Sequence, residues 1–132
     1  YALPAAIGAW LGGQLDNGAR PPVGCLIGDG GLQFTLPELA SAVEARVPVI
    51  VLLWNNQGYE EIKKYMVNRA IEPVGVDIST PDFVAVAKGL GCAAQAISNI
   101  DELRAALRKA TDRQGPTLIE IDQNQWMQAV AQ

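Results

Sequence analysis

The sequence has no histidine, only two cysteines in 132 residues, 6% aromatic and 18% charged residues, and no block of lysine or arginine. Each scarcity removes a class of function. Without histidine, and with Cys25 and Cys92 far apart and lacking ligand spacing, a zinc site has no donor set. The formal net charge of −4 leaves no electrostatic footprint for nucleic acid or for an anionic membrane surface. No apolar run approaches the roughly 20 residues of a membrane span, and the apolar start lacks the basic residues of a signal peptide. The two thiols read as reduced, buried cysteines of a cytoplasmic protein rather than as a disulfide.

What remains is 49% hydrophobic, the composition of one α/β domain with a sizeable core. The chain begins at Tyr1 in what reads as the middle of a fold, so residues 1–132 are expected to be one domain of a longer multidomain chain. "YALPAAIGAWLGGQL" has helical spacing to about Leu15, and "DNGARPP" punctuates the chain. "VGCLIG" and "VPVIVLLWNN" are apolar runs without alternation, the pattern of strands covered on both faces, here Val23 to Gly28 and Val49 to Trp54. Between them Thr35 can cap, and Pro37 and Glu38 open, a helix ending near Arg46, so the segment makes a right-handed βαβ unit. Further on we expect a short helix in "GYEEIKKYM", an irregular "VNRAIEPVGVDIST", and a helix opened by Thr80-Pro81-Asp82 and closed by Gly89. A brief strand "CAAQAI", a helix with Leu103 and Leu107 inward, a last strand "PTLIEID" and a tail "QNQWMQAVAQ" complete the chain. The expected architecture is an open, mostly parallel sheet with helices on both faces.

Two polar clusters interrupt these apolar runs. "GDGG", Gly28 to Gly31, ends the first strand as a glycine-rich turn, and "NNQG", Asn55 to Gly58, ends the second, with 24 residues between Gly30 and Asn55. Alone, an Asp-Gly or Asn-Gly is an ordinary turn. In a parallel sheet, however, both fall on the C-terminal edge, where ligand sites are built. The first cluster lacks the Gly-Lys-Ser/Thr of a nucleotide P-loop. One carboxylate, side-chain amides and backbone carbonyls are instead hard oxygen donors of low total charge, suited to Mg²⁺ that completes its shell with water and phosphate. Gly30 and Gly31 offer backbone N–H groups to that anion.

Gly28-Asp29-Gly30, two dozen residues, then Asn55-Asn56 resembles the signature of thiamine diphosphate enzymes. "YALPAAIGA" and "GPTLIEI" are similar to the opening helix and closing strand of the diphosphate-binding domain of acetolactate synthases and 2-oxo acid decarboxylases, so the likeness spans the chain. The resemblance implies that Asp29 and Asn56 hold Mg²⁺ through their side chains and Gly58 through its carbonyl. It implies that Gly28, Asp29, Gly30 and Gly31 frame the diphosphate, with Asn56, Gly58 and Tyr59 beside it. Asn55 orients the loop. Gly31 stands where many relatives have serine, which removes a hydroxyl contact.

The resemblance also implies what the chain lacks. In that family a second, pyrimidine-binding domain, contributed by a neighbouring subunit, presents the glutamate that activates the cofactor. Catalytic residues in that sense are therefore not expected here, and 132 residues alone are not expected to turn over a 2-oxo acid. Pyruvate decarboxylases place a proton-donating glutamate four residues after the position of Gly58. Here that position is Ile62, which resembles acetolactate synthases and decarboxylases of aryl or long-chain 2-oxo acids in keeping an apolar residue there. Ile62 and Tyr65, three apart, either wall the substrate pocket or pack into the core. Lys63 and Lys64 read as solvated, Trp54 as a core residue, and Trp126 as cover for an interface with another domain. The expected function is binding of Mg²⁺ and thiamine diphosphate within a homo-oligomeric 2-oxo acid decarboxylase. The alternatives are an acetolactate-synthase-like carboligase domain, a non-catalytic cofactor-binding or assembly module, and a flavodoxin-like domain for another phosphate.

Overall fold

Among the described residues, four short strands, predominantly apolar at their buried positions, pair in parallel to form the sheet on which the helices pack. The computed structural model describes residues 1–13 and 20–130. In chain order the elements are α1 (Ala2–Gly12), β1 (Gly24–Gly28), α2 (Asp29–Gln33), α3 (Glu38–Glu44), β2 (Ile50–Asn55) and α4 (Glu60–Asn68). They continue with α5 (Phe83–Gly89), β3 (Ala93–Ile97), α6 (Ile100–Thr111), β4 (Thr117–Asp122) and α7 (Gln123–Val130). The sheet order is β1-β2-β4-β3, so the expected βαβ unit is present and β1 and β2 are direct neighbours. The expected end of the first helix at Leu15, and most of "DNGARPP", lie outside the described residues.

The two faces of the sheet are covered by different helices. On one, Leu3, Leu39, Val51, Leu53, Phe83 and Leu118 form a fully buried cluster under α1, α3 and α5. On the other, Ile50, Ile97, Ala106, Ile119 and Ile121 pack with the half-buried Leu103, Leu107, Trp54 and Trp126 of α6, β2 and α7. Full burial of each such aliphatic side chain contributes about 1.5–3 kcal/mol before entropy is counted. The second cover stops short of β1. Leu26 is 70% exposed there, and Phe34 beyond it 79%. No helix among the described residues is long and apolar enough to cross a membrane. Both cysteines are free and buried, and burial pushes the Cys92 thiol up to about 11.

Three local expectations need correction. The "GDGG" segment is not a turn: β1 ends at Gly28 and α2 begins at Asp29, with Gly28 at φ −81° and ψ 161°. Thr35 does not cap through its side chain. Its carbonyl accepts from the Glu38 N–H at 3.0 Å, its Oγ1 is buried without a partner, and α3 opens after Pro37. The tail is helical, and Trp126 within it meets Trp54 edge-to-face at 6.4 Å, so it covers the sheet of this same domain. The expected opening of α5 at Asp82 is present, its side chain accepting from the Ala85 N–H, and the helix ends at Gly89. The structure adds a cap at Asn99, which accepts from the Glu102 N–H, and a left-handed exit at Gly91, φ 91°, after α5.

Candidate functional site

Register brings the two polar clusters together. Gly28 lies opposite Trp54, and Asn55 opposite Asp122, so Asp29, Asn56 and Gln123 all leave the sheet at its C-terminal edge. Asp29 is only 2% exposed, and its Oδ2 accepts from the Gly58 N–H at 3.0 Å, bridging the two strand ends. The glycines of the first cluster are not equivalent. A Cβ on Gly30 would run into the Tyr59 ring, meeting Cδ1 at 3.0 Å and Cζ at 3.1 Å, whereas one on Gly31 would sit 3.4 Å from Ile27 Cγ1. Only Gly30 is demanded by its neighbour.

The second cluster is held by longer-range partners. Gln57 adopts φ 61°, a left-handed conformation that costs a non-glycine residue about 1–2 kcal/mol. Asn55 pins it: its Oδ1 accepts from the Gln57 N–H at 3.1 Å while its Nδ2 donates to Glu120 Oε1 at 2.7 Å. Both polar ends of Asn55 are thereby engaged with the loop and with β4. The irregular segment after α4 returns to close the loop, with the Tyr59 N–H donating to the Val76 carbonyl at 2.8 Å and Gly58 bridging Asp77. A Cβ on Gly58 would stand 2.8 Å from that Val76 carbonyl oxygen. Gly58 is therefore glycine because backbone passes directly over it.

Asn56 is engaged at one end only. Its Nδ2 donates to Glu60 Oε2 at 3.1 Å, and its Oδ1 is buried without a partner. An unmet buried amide oxygen costs about 1–3 kcal/mol, which a ligand at that position recovers. A cavity of about 210 Å³ is lined by Asp29, Gly30, Gly31, Asn56, Tyr59 and Ile62, among others. A buried carboxylate and an asparagine with a free amide oxygen, both residues lining one cavity, fit a hard divalent cation such as Mg²⁺. Among the described residues no group of three or more His, Cys, Asp or Glu forms a metal cluster, so a metal here has to draw on amide and backbone oxygens.

Glu60 and Gln123 belong to this site, and sequence reasoning missed both. Gln123 Nε2 donates to Glu60 Oε2 at 2.8 Å, and Trp54 Nε1 donates to Gln123 Oε1 at 2.7 Å. The Gln123 amide, and then the Lys64 ammonium, hold the Glu60 carboxyl below the usual carboxylate range. Trp54 is thus a half-buried residue with a polar task. The only available signal was position, since "QNQW" begins where the last strand ends. Lys63 and Lys64 face solvent but are paired: Lys63 with Asp77 at 2.8 Å, Lys64 with Glu60 at 3.0 Å and Glu61 at 3.2 Å. Ile62 and Tyr65 are 53% and 54% exposed, so neither packs into the core, and Arg69 lies over the Tyr65 ring at 4.4 Å.

A parallel sheet whose adjacent strand ends gather oxygen donors and glycines is the layout of a ligand-binding α/β domain. Comparison with known proteins narrows that class. Residues 1–121 match the family described as "Thiamine pyrophosphate enzyme, C-terminal TPP binding domain", and the chain belongs to that family. It is 43% identical over 122 residues to the "Probable 2-ketoarginine decarboxylase" of Pseudomonas aeruginosa, covering 92% of this chain and 21% of that protein. It is 34% identical to the benzoylformate decarboxylase of the same organism, over 92% of this chain and 22% of that one, and 30% identical to an acetolactate synthase of Bacillus subtilis, over 91% and 20%. Among solved structures, benzoylformate decarboxylase from Polynucleobacter necessarius superposes with a TM-score of 0.82 at 30% identity, over 91% of this chain and 23% of that one. The thiamine diphosphate-dependent 4-hydroxybenzoylformate decarboxylase of Rhodococcus jostii gives 0.80 at 31%, over 92% and 22%. The chain thus spans about a fifth of the length of the curated relatives named here. The expected fold and family both stand.

Proposed function

We propose that the chain is the diphosphate and Mg²⁺ side of the cofactor site in a longer enzyme that decarboxylates a 2-oxo acid, with release of a carbonyl product or its carboligation. Asp29 and the Asn56 amide oxygen hold the cation, with the Gly58 carbonyl as a third donor, and the Gly30 and Gly31 N–H groups meet the diphosphate beside Tyr59. The observation that carries this reading is the buried, unpartnered Oδ1 of Asn56, a residue that lines the same cavity as Asp29. When bound, thiamine diphosphate supplies an electron sink for the electrons left when CO₂ departs. The chain's own residues bind and orient: Asp29 ties the two strand ends together through Gly58, and Gly30 admits the Tyr59 ring.

For the substrate we favour a 2-oxo acid larger than pyruvate. Ile62 borders the cavity with an apolar, half-exposed surface, and relatives named for 2-ketoarginine and benzoylformate support that choice. Ile62 is the candidate wall of that pocket; Tyr65, expected beside it, is not among the residues that line the cavity and packs against Arg69 instead. An acetolactate-synthase-like carboligase shares the apolar Ile62; incubation with pyruvate separates the two, since only the carboligase forms acetolactate. The reading includes a pyrimidine-binding partner domain from a neighbouring subunit of a cytoplasmic homo-oligomer, for which the exposed Leu26 and Phe34 offer apolar surface.

Calorimetric titration of the enzyme that carries this domain with thiamine diphosphate in the presence of Mg²⁺ tests the site. The native protein is expected to bind and Asp29→Ala to lose most of the heat. Equal heats would remove support from the metal assignment. Heats in both cases no larger than buffer would favour a domain for another phosphate.

A further inference from the structure

An asparagine amide has two nearly isosteric orientations, and only one of them leaves the oxygen of Asn56, a residue lining the Asp29 cavity, free for a ligand. The partners around Asn56 decide between them by a chain of one-way hydrogen bonds. The Trp54 indole can only donate, so Gln123 must receive it with Oε1, at 2.7 Å. That leaves Gln123 Nε2 to donate to Glu60 Oε2 at 2.8 Å. A carboxylate can only accept, so the same Glu60 oxygen takes the Asn56 Nδ2 at 3.1 Å, and Asn56 Oδ1 is turned away as the buried atom without a partner. Lys64 holds the other Glu60 oxygen at 3.0 Å, completing its coordination.

We propose that Trp54, Gln123 and Glu60 form a positioning relay that fixes the Asn56 amide with its oxygen left free, presetting it for a divalent cation. The relay rests on the reading that Asn56 is a metal ligand. It also gives α7 a task, because Gln123 is its first residue and links the last strand to the end of β2. None of the three residues touches the cation; they act through Asn56.

The test uses the full-length enzyme that carries this domain, freed of metal and saturated with thiamine diphosphate. Mn²⁺ is the probe, and its affinity is read from the electron paramagnetic resonance signal of the free ion. A glutamine at position 60 can offer its single oxygen either to Lys64 or to the Asn56 and Gln123 amides, but not to both. Glu60→Gln is therefore expected to raise the Mn²⁺ Kd by about tenfold or more, within the range for residues that orient metal ligands. Glu61→Gln removes the same charge beside the same lysine and is expected to leave the Kd within about twofold, since exposed charges act weakly. Adding Lys64→Met to Glu60→Gln frees the glutamine oxygen for the two amides and is expected to restore most of the affinity. Gln123→Leu leaves Glu60 in place and is expected to raise the Kd by a smaller factor, about threefold; it also serves as the second probe if Glu60→Gln fails to fold.

Native Mn²⁺ affinity in Glu60→Gln, or in Gln123→Leu where that variant stands in, overturns the relay. So does an equal loss in Glu61→Gln, because charge alone would then account for the effect. Asp29→Ala distinguishes the two levels. If it weakens Mn²⁺ binding and Glu60→Gln does not, the relay is wrong and the metal reading stands; if neither does, the metal reading falls as well.

Discussion

The ends of β1 and β2 build one site by opposite means. At the end of β1 the chain passes straight from strand to helix, with ordinary backbone angles at Gly28 and a single hydrogen bond from Gly58 to Asp29 reaching across. At the end of β2 the backbone is forced left-handed at Gln57 and is held by Asn55, Glu120, Glu60 and Gln123, together with the Val76 carbonyl above it. The first end presents a donor by location alone. The second presents one by bracing, and the bracing comes from β4 and α7, more than 60 residues away in sequence.

That difference predicts unequal tolerance to substitution. The largest effect is expected at Gly58, where a methyl group would sit 2.8 Å from the Val76 carbonyl oxygen and backbone must move to admit it. Gly58→Ala should lower stability by about 1–3 kcal/mol, as overpacking does, and displace the N–H that Asp29 receives. Chemical denaturation together with the Mn²⁺ titration checks both consequences.

Next in size is a control at the opposite edge of the sheet. The Cys92 thiol, pushed up to about 11 by burial, stays protonated in the folded chain at a pH where the unfolded chain ionises it. Its folded-state pKa is raised, so the contribution is complete below the unfolded value and is lost as pH rises from about 9 through 11, on the order of 2 kcal/mol. Denaturation midpoints should fall across that window and fall less in Cys92→Ala. A fall of the same size in that variant would show that groups other than this thiol, the buried Cys25 among them, carry the alkaline loss.

Asn55→Ala comes third. It removes two hydrogen bonds and leaves Gln57 strained, for a loss of about 1–2 kcal/mol confined to the β2 end. Hydrogen exchange should quicken in peptides over Asn56 to Tyr59 and not in those over Asp29 to Gln33. Equal quickening in both would break the contrast between a braced end and an unbraced one. The smallest effect belongs to Gly31→Ser, where the added Cβ stands 3.4 Å from Ile27 Cγ1; stability should stay within about 0.5 kcal/mol.

The same contrast explains what was legible in the sequence. The apolar runs of β1, β2 and β4, the helix opening at Asp82, and the pairing of "GDGG" with "NNQG" are local patterns or follow from parallel topology, and each was readable. Helix α2 was not, because two glycines are poor helix formers and this short helix follows from tertiary context rather than propensity. Helix α7 was read as a tail because it is short and opens on three consecutive Gln and Asn residues, with its apolar residues only in the later part. Glu60 was only one charge of the short helix "GYEEIKKYM", and Gln123 the first residue of that tail. Their roles depend on partners that only the register of β2 against β4 brings close.

The most direct test of the central claim is anomalous diffraction from crystals of the enzyme carrying this domain, grown with thiamine diphosphate and Mn²⁺. The account predicts a single strong peak at this edge of the sheet, within coordination distance, roughly 2.0–2.3 Å, of both an Asp29 carboxylate oxygen and Asn56 Oδ1. A peak bound elsewhere, or an Asn56 amide that presents its nitrogen to the ion, would contradict it.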